Sequence, residues 1–92
     1  METKTENADL DGAEFINTNL HGAQFRNVNL AEARFADVNL SGARFEDMAL
    51  TGAVFHEVNC SDVLIADGRY DGMRIDGILV TELLRVYRAK NP

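Results

Sequence analysis

Three kinds of side chain in this sequence could do chemistry: two histidines, one cysteine and fifteen carboxylates. His21 and His56 would hold a metal ion or shuttle a proton if both rings reached one point. Cys60 would act as a nucleophile only if it were exposed beside a cation. Carboxylates held together bind a divalent ion or share a proton. Whether any of these groups meet is decided by the elements that carry them.

The apolar residues define those elements. Leu10, Phe15, Leu20, Phe25, Leu30, Phe35, Leu40, Phe45, Leu50 and Phe55 follow one another at a step of five, and the series continues as Cys60, Ile65, Tyr70 and Ile75. Five residues advance about 500° around a helix, so the anchors would scatter over every side. In a flat sheet an odd step puts alternate anchors on opposite faces. Two residues before each anchor sits a smaller one, as at Ala13, Thr18, Ala23 and Val28. Inward positions are therefore spaced 2, 3, 2, 3: the step of two is a strand, and the step of three must contain a bend. Two residues after each anchor, twelve of the fourteen positions are Gly, Asn or Asp, with Glu32 and Glu57 the others. These residues tolerate positive φ or bond to their own turn backbone. Each pentapeptide is thus a short strand plus a corner, always turning the same way, and the chain coils around its own core. Coils of ten, twenty or thirty residues would stack Leu on Leu and Phe on Phe. Ten is too tight to enclose two large side chains, and the spacing favours twenty over thirty without excluding the latter.

The units ADLDG, AEFIN, TNLHG, AQFRN, VNLAE, ARFAD, VNLSG and ARFED run without a gap from Ala8 to Asp47. In them the chain resembles the pentapeptide repeat family, whose pattern is A-(D/N)-L-x-x. The resemblance extends over residues 8–77 and implies an all-β solenoid, a right-handed four-sided β-helix with twenty residues per coil, here roughly three and a half coils. Residues 1–7 are expected to be disordered or extended, 8–78 to form the β-helix, 79–90 a C-terminal capping α-helix and 91–92 a tail. On that helix Val80, Leu84 and Tyr87 line one stripe and Leu79, Leu83 and Val86 an adjacent one, with Arg85, Arg88 and Lys90 late, where cations suit a helix C-terminus. Three positions depart from the pattern: Ala49 replaces the polar residue before an anchor, Cys60 is a small anchor, and Gly68 leaves an inward slot empty.

Adding twenty writes the columns. His56 stacks with Ile16, Ala36 and Asp76, and His21 with Ser41 and Ser61, so the two histidines belong to different faces and share no metal. Cys60 is expected inside, as a small hydrophobe. Asn19, Asn39 and Asn59 form an outward column whose amides can bond coil to coil. Glu14 lies under Arg34, and Arg26 under Glu46. Asp37 stacks on Glu57 and Asp47 on Asp67; their type fits corner chemistry, and together they are the candidate acidic partner surface. No glycine-rich loop opens a helix to cradle a phosphate. No catalytic residue, cofactor or metal site is expected, and the chain is read as a non-enzyme.

The net charge is −6: residues 1–66 carry eleven acids and four bases, residues 67–92 four acids and five bases. That balance repels phosphate and argues against direct nucleic-acid binding. No apolar run is long enough to span a membrane, and the acidic start and single cysteine point to a cytoplasmic protein. A prism without a cleft suits protein partners, so the leading function is a scaffold for protein–protein interaction. Val54, Leu64, Leu79, Leu83 and Val86 are apolar at outward positions and mark a candidate homodimer interface through the C-terminal end. The N-terminal end is either open or met by a second molecule. The resemblance also implies an alternative, since some members of the family are acidic DNA mimics that bind a type II topoisomerase, DNA gyrase, and protect it from quinolones.

Overall fold

The computed structural model describes residues 4–91. Its elements, in chain order, are β1 (Lys4–Glu6), β2 (Glu14–Ile16), β3 (Gln24–Asn29), β4 (Arg34–Asn39), β5 (Arg44–Ala49), β6 (Val54–Asn59), β7 (Leu64–Arg69), β8 (Arg74–Ile75), β9 (Ile78–Leu79) and α1 (Val80–Lys90). The strands form two sheets, β1-β3-β5-β7 and β2-β4-β6-β8-β9. Every pairing is parallel except β8 with β9. Phe25 pairs with Phe45 and Phe35 with Phe55, a register of twenty that removes the thirty-residue coil. With a corner every five residues, each coil has four sides. The chain is a β-solenoid of about four coils with one C-terminal helix.

All fourteen positions picked out as corners have positive φ, from 50° to 80°. The corners are of two kinds. After each Leu-type anchor the chain closes a hydrogen-bonded turn, as where the N–H of Ala43 donates to the C=O of Leu40 at 2.9 Å. The third residue of that turn, Gly42, has φ 71°, the conformation in which a Cβ would be penalised. After the Phe-type anchors the strand runs through the corner, and Asn27, Asp37, Asp47, Glu57 and Asp67 carry the positive φ there. The period-ten alternation of Leu and Phe is therefore also an alternation of tight and open bends.

The core follows from these bends. Leu30, Leu40, Leu50, Phe35 and Phe45 are fully buried in the middle coils. The Phe rings stack along the axis: Phe15 on Phe35 with centroids 4.8 Å apart, Phe35 on Phe55 at 4.5 Å, and Phe25 on Phe45 at 5.0 Å. That spacing is the distance between neighbouring strands, so one coil rise also sets the ring separation. At the ends of the stack Leu10, Phe15, Leu20, Ile65, Tyr70 and Ile75 are only half-buried.

The ends differ from expectation in several ways. Lys4–Glu6 joins the first sheet in register, with Thr5 opposite Phe25, and Asn7 already has φ 52°, so the coils begin before Ala8 and number about four. Of the segment 1–7, residues 1–3 lie outside the described residues, as does residue 92 of the tail. At the other end Asp76 and Gly77 both have positive φ, and Ile75 pairs with Ile78 across them. That is a two-residue hairpin, which reverses the chain instead of turning it a fourth of the way round. The reversal swings α1 over the last coil: the N–H of Val80 donates to the C=O of Met73 at 3.0 Å, Met73 and Val80 are buried, and Leu84 is half-buried against them.

Two inward slots are used differently from what the repeat implies. Cys60 is exposed, not inside. Its column ends there, because the hairpin turns the chain back before another anchor is laid above it. Gly68 does not leave an empty slot. A Cβ built on it would lie 2.6–2.9 Å from the Tyr70 ring, so that ring occupies the space of the missing side chain.

Candidate functional site

The groups that could do chemistry are distributed over separate parts of the prism. His21 stands beside Ser41, with Nδ1 2.7 Å from the hydroxyl oxygen. His21 is in the tight turn between β2 and β3, whereas His56 lies on strand β6, in register with Ala36, with Nε2 3.8 Å from a carboxylate oxygen of Glu57. The histidines are on different faces, and no group of three or more His, Cys, Asp or Glu is placed to hold a metal ion among the described residues. Cys60 is exposed, but partial burial, helped by the nearby Asp76 carboxylate, holds its thiol pKa above the ordinary value. That is the opposite of an activated thiolate.

The outward polar columns are structural. Asn19, Asn39 and Asn59 each accept, at Oδ1, the N–H two residues on, which roofs the tight turn that follows. Asn39 also donates to Asn19 at 3.3 Å, a coil-to-coil amide bond. Asp9 and Asn29 repeat the arrangement on the opposite face, with Asn29 donating to Asp9 at 3.1 Å. Asn27 donates to Asn7 at 2.7 Å along a corner.

The charged columns are in the expected register but are not closed ion pairs. Glu14 stands opposite Arg34 and Arg26 opposite Glu46, yet no ion pair within 4.0 Å joins either couple among the described residues. Glu46 instead meets Arg44 on its own strand, at 3.4 Å. The acids named as a partner surface are not brought together. Asp47 and Asp67 occupy a corner of the β1-β3-β5-β7 sheet, and Asp37 and Glu57 the diagonally opposite corner, in the β2-β4-β6-β8-β9 sheet.

The apolar surface is more concentrated. Among the described residues seven large apolar side chains are exposed, and five of them, Ile78, Leu79, Leu83, Val86 and Tyr87, fall within a ten-residue span of β9 and α1. Helix α1 turns the 80–84–88 stripe to the last coil, so Val80 and Leu84 are covered while Leu83, Val86 and Tyr87 are not. The helix is braced on its outer side by Arg85, whose Nε donates to Glu82 at 3.0 Å; this hydrogen bonding, helped by the guanidinium charge, lowers the Glu82 pKa. Of the two strand positions grouped with this end in the sequence, Val54 is half-buried on β6, in register with Arg34 and Arg74. Leu64 is exposed on β7, in the other sheet. Val54 and Leu64 therefore face opposite ways. Leu79 shares a row with Arg74 and Val54, which leaves Leu64 apart from the rest. Ile78 was not singled out from the sequence. The Asp-Gly pair between Ile75 and Ile78 is the hairpin signal that marks it.

A family model described as "Pentapeptide repeats (9 copies)" matches residues 5–44 and, in a second placement, residues 21–64. No functionally curated protein matches the chain. Among solved structures the chain is similar to Rfr23, a pentapeptide repeat protein from the cyanobacterium Cyanothece 51142. Identity is 23%, the TM-score 0.33, and the match covers 79% of this chain and 56% of that one. It is also similar to HetL, a pentapeptide repeat protein involved in heterocyst differentiation regulation from Nostoc sp. strain PCC 7120. Identity there is 19%, the TM-score 0.33, and coverage 84% of this chain and 43% of that one. The chain thus spans about half the length of these proteins.

Proposed function

The chain belongs to the pentapeptide repeat family, and from that premise we propose that it works without catalysis, as a scaffold that binds protein and pairs with a second copy through its C-terminal end. One observation carries the proposal: the apolar patch of Ile78, Leu79, Leu83, Val86 and Tyr87 on the hairpin and helix. Single exposed apolar residues are ordinary, but five within ten residues, on β9 and the helix that follows it, mark an interaction surface. A second copy related by a two-fold axis would lay the same group against itself. Leu64 takes no part in this interface, and Val54 only borders it.

Light scattering of the purified chain tests the pairing. The expected result is a dimer that Leu83→Glu converts to a monomer of unchanged circular dichroism. A wild-type monomer at high micromolar concentration removes the pairing.

The alternative of an acidic duplex mimic comes from the family resemblance, and the net charge of −6 agrees with it in sign. The acid columns Asp37–Glu57 and Asp47–Asp67 stand at opposite corners of the prism, so these four do not make one row. A supercoiling assay with purified DNA gyrase decides it: neither inhibition nor protection from a quinolone at excess protein eliminates this alternative.

A further inference from the structure

The cap helix does not seal the last coil. Between them lies a cleft with two halves of unlike chemistry. One half, of about 270 Å³, has an apolar floor of Ile65, Met73, Ile75 and Val80. The other, of about 380 Å³, is bounded by Arg69, Asp71 and Thr81 beside Gly68. Tyr70, Leu84 and Arg88 line both halves and form the line where they meet. Arg69 and Arg88 give the polar half two cations against one carboxylate, and neither forms an ion pair among the described residues. Residues 67–92 carry five bases against four acids, where residues 1–66 carry four against eleven.

We propose that this cleft binds a small single-tailed carboxylate, with its apolar tail against the half-buried Ile65, Ile75 and Leu84 and its head between Arg69 and Arg88. An apolar pocket with a few convergent polar groups is the ordinary form of a small-molecule site. A guanidinium at the rim selects a carboxylate, which it can hold through two parallel hydrogen bonds. The size of the apolar half limits the tail to a short or medium chain. The site does not depend on self-pairing, because Leu84 and Arg88 lie on the stripe of α1 facing the coil and Leu83 and Val86 on the outer one.

Amide correlation spectra of the full chain, titrated with sodium hexanoate, octanoate and decanoate below their micelle concentrations, test the proposal. Saturable shifts are expected at Gly68, Tyr70, Met73, Val80 and Leu84, with affinity rising about fourfold per added methylene until the cleft is full. Arg88→Gln, a change at an exposed position, should weaken octanoate binding about tenfold and leave 1-octanol binding unaltered. Leu83→Glu should bind octanoate as wild type does. The proposal is overturned by the absence of saturation, by shifts that map elsewhere, by an Arg88→Gln variant that loses nothing, or by loss of binding in Leu83→Glu.

Discussion

Gly68 and Tyr70 give the sharpest test of how the last coil is packed. In the columns of inward residues Val28 and Met48 precede Gly68, and Leu10, Leu30 and Leu50 precede Tyr70. The pair exchanges volume: the side chain missing at 68 is returned as a ring at 70. A Cβ at position 68 would sit 2.6 Å from Cε1, 2.8 Å from Cζ and 2.9 Å from the hydroxyl oxygen of Tyr70. Ordinary carbon contact is about 3.5–4.0 Å, so the ring must retreat by roughly 1 Å. Overpacking of this kind costs about 1–3 kcal/mol. Gly68 has no positive φ, so alanine there also gains about 0.4–1 kcal/mol by restricting the unfolded chain. Gly68→Ala should therefore destabilise by about 1–2 kcal/mol in the wild-type background. With Tyr70→Leu already in place the clash is gone, and the same change should stabilise by about 0.4–1 kcal/mol. Urea unfolding of the two single variants and the double, compared where their m-values agree, closes the cycle. If Gly68→Ala stabilises equally in both backgrounds, the ring does not fill that slot and the description of the last coil fails.

Ala49 stands in register with Asn29 but lacks the side chain that roofs the following turn, so Ala49→Asn should raise stability by about 0.5–1 kcal/mol in the same assay. Glu32 carries φ 62° at a tight corner where most repeats place glycine; Glu32→Gly should stabilise by about 0.5–1 kcal/mol, read as a higher unfolding midpoint. Phe35 is buried between Phe15 and Phe55, and Phe35→Ala should cost about 3–5 kcal/mol in urea unfolding. Cys60 has a raised pKa, so it holds less thiolate than a free cysteine at any given pH; iodoacetamide should alkylate it more slowly than a cysteine peptide at pH 8, and Asp76→Asn should speed the reaction.

The solenoid was legible because its information is local and repeated. A corner needs positive φ, few residues accept it, and the sequence supplies them at a fixed step, so twelve of the fourteen corners could be marked from residue types and Glu32 and Glu57 from the step alone. The exceptions come where the repeat ends. Cys60 sits in an anchor position, yet its burial depends on a coil above it that the chain never lays down. Gly68 looks like a void because its compensation lies two residues away and comes from the side chain of a neighbour. The surface was harder still. Val54 and Leu64 are alike in type, but which way each faces follows from the four-sided coil and not from hydropathy. Arg34 and Glu14 are aligned by register, while the reach of two long exposed side chains is set by entropy and solvent, which register does not control.

The twenty-residue register has one more implication, for length variation. Removing a block of twenty would shorten the prism by one storey and leave each remaining layer on a neighbour of the same type. Removing five would rotate everything downstream by a quarter turn, put leucine over phenylalanine, and carry the C-terminal patch round to an adjacent side. Duplication or loss of segments in this chain should therefore be tolerated in whole storeys, and the direction in which the cap helix points is fixed by the remainder.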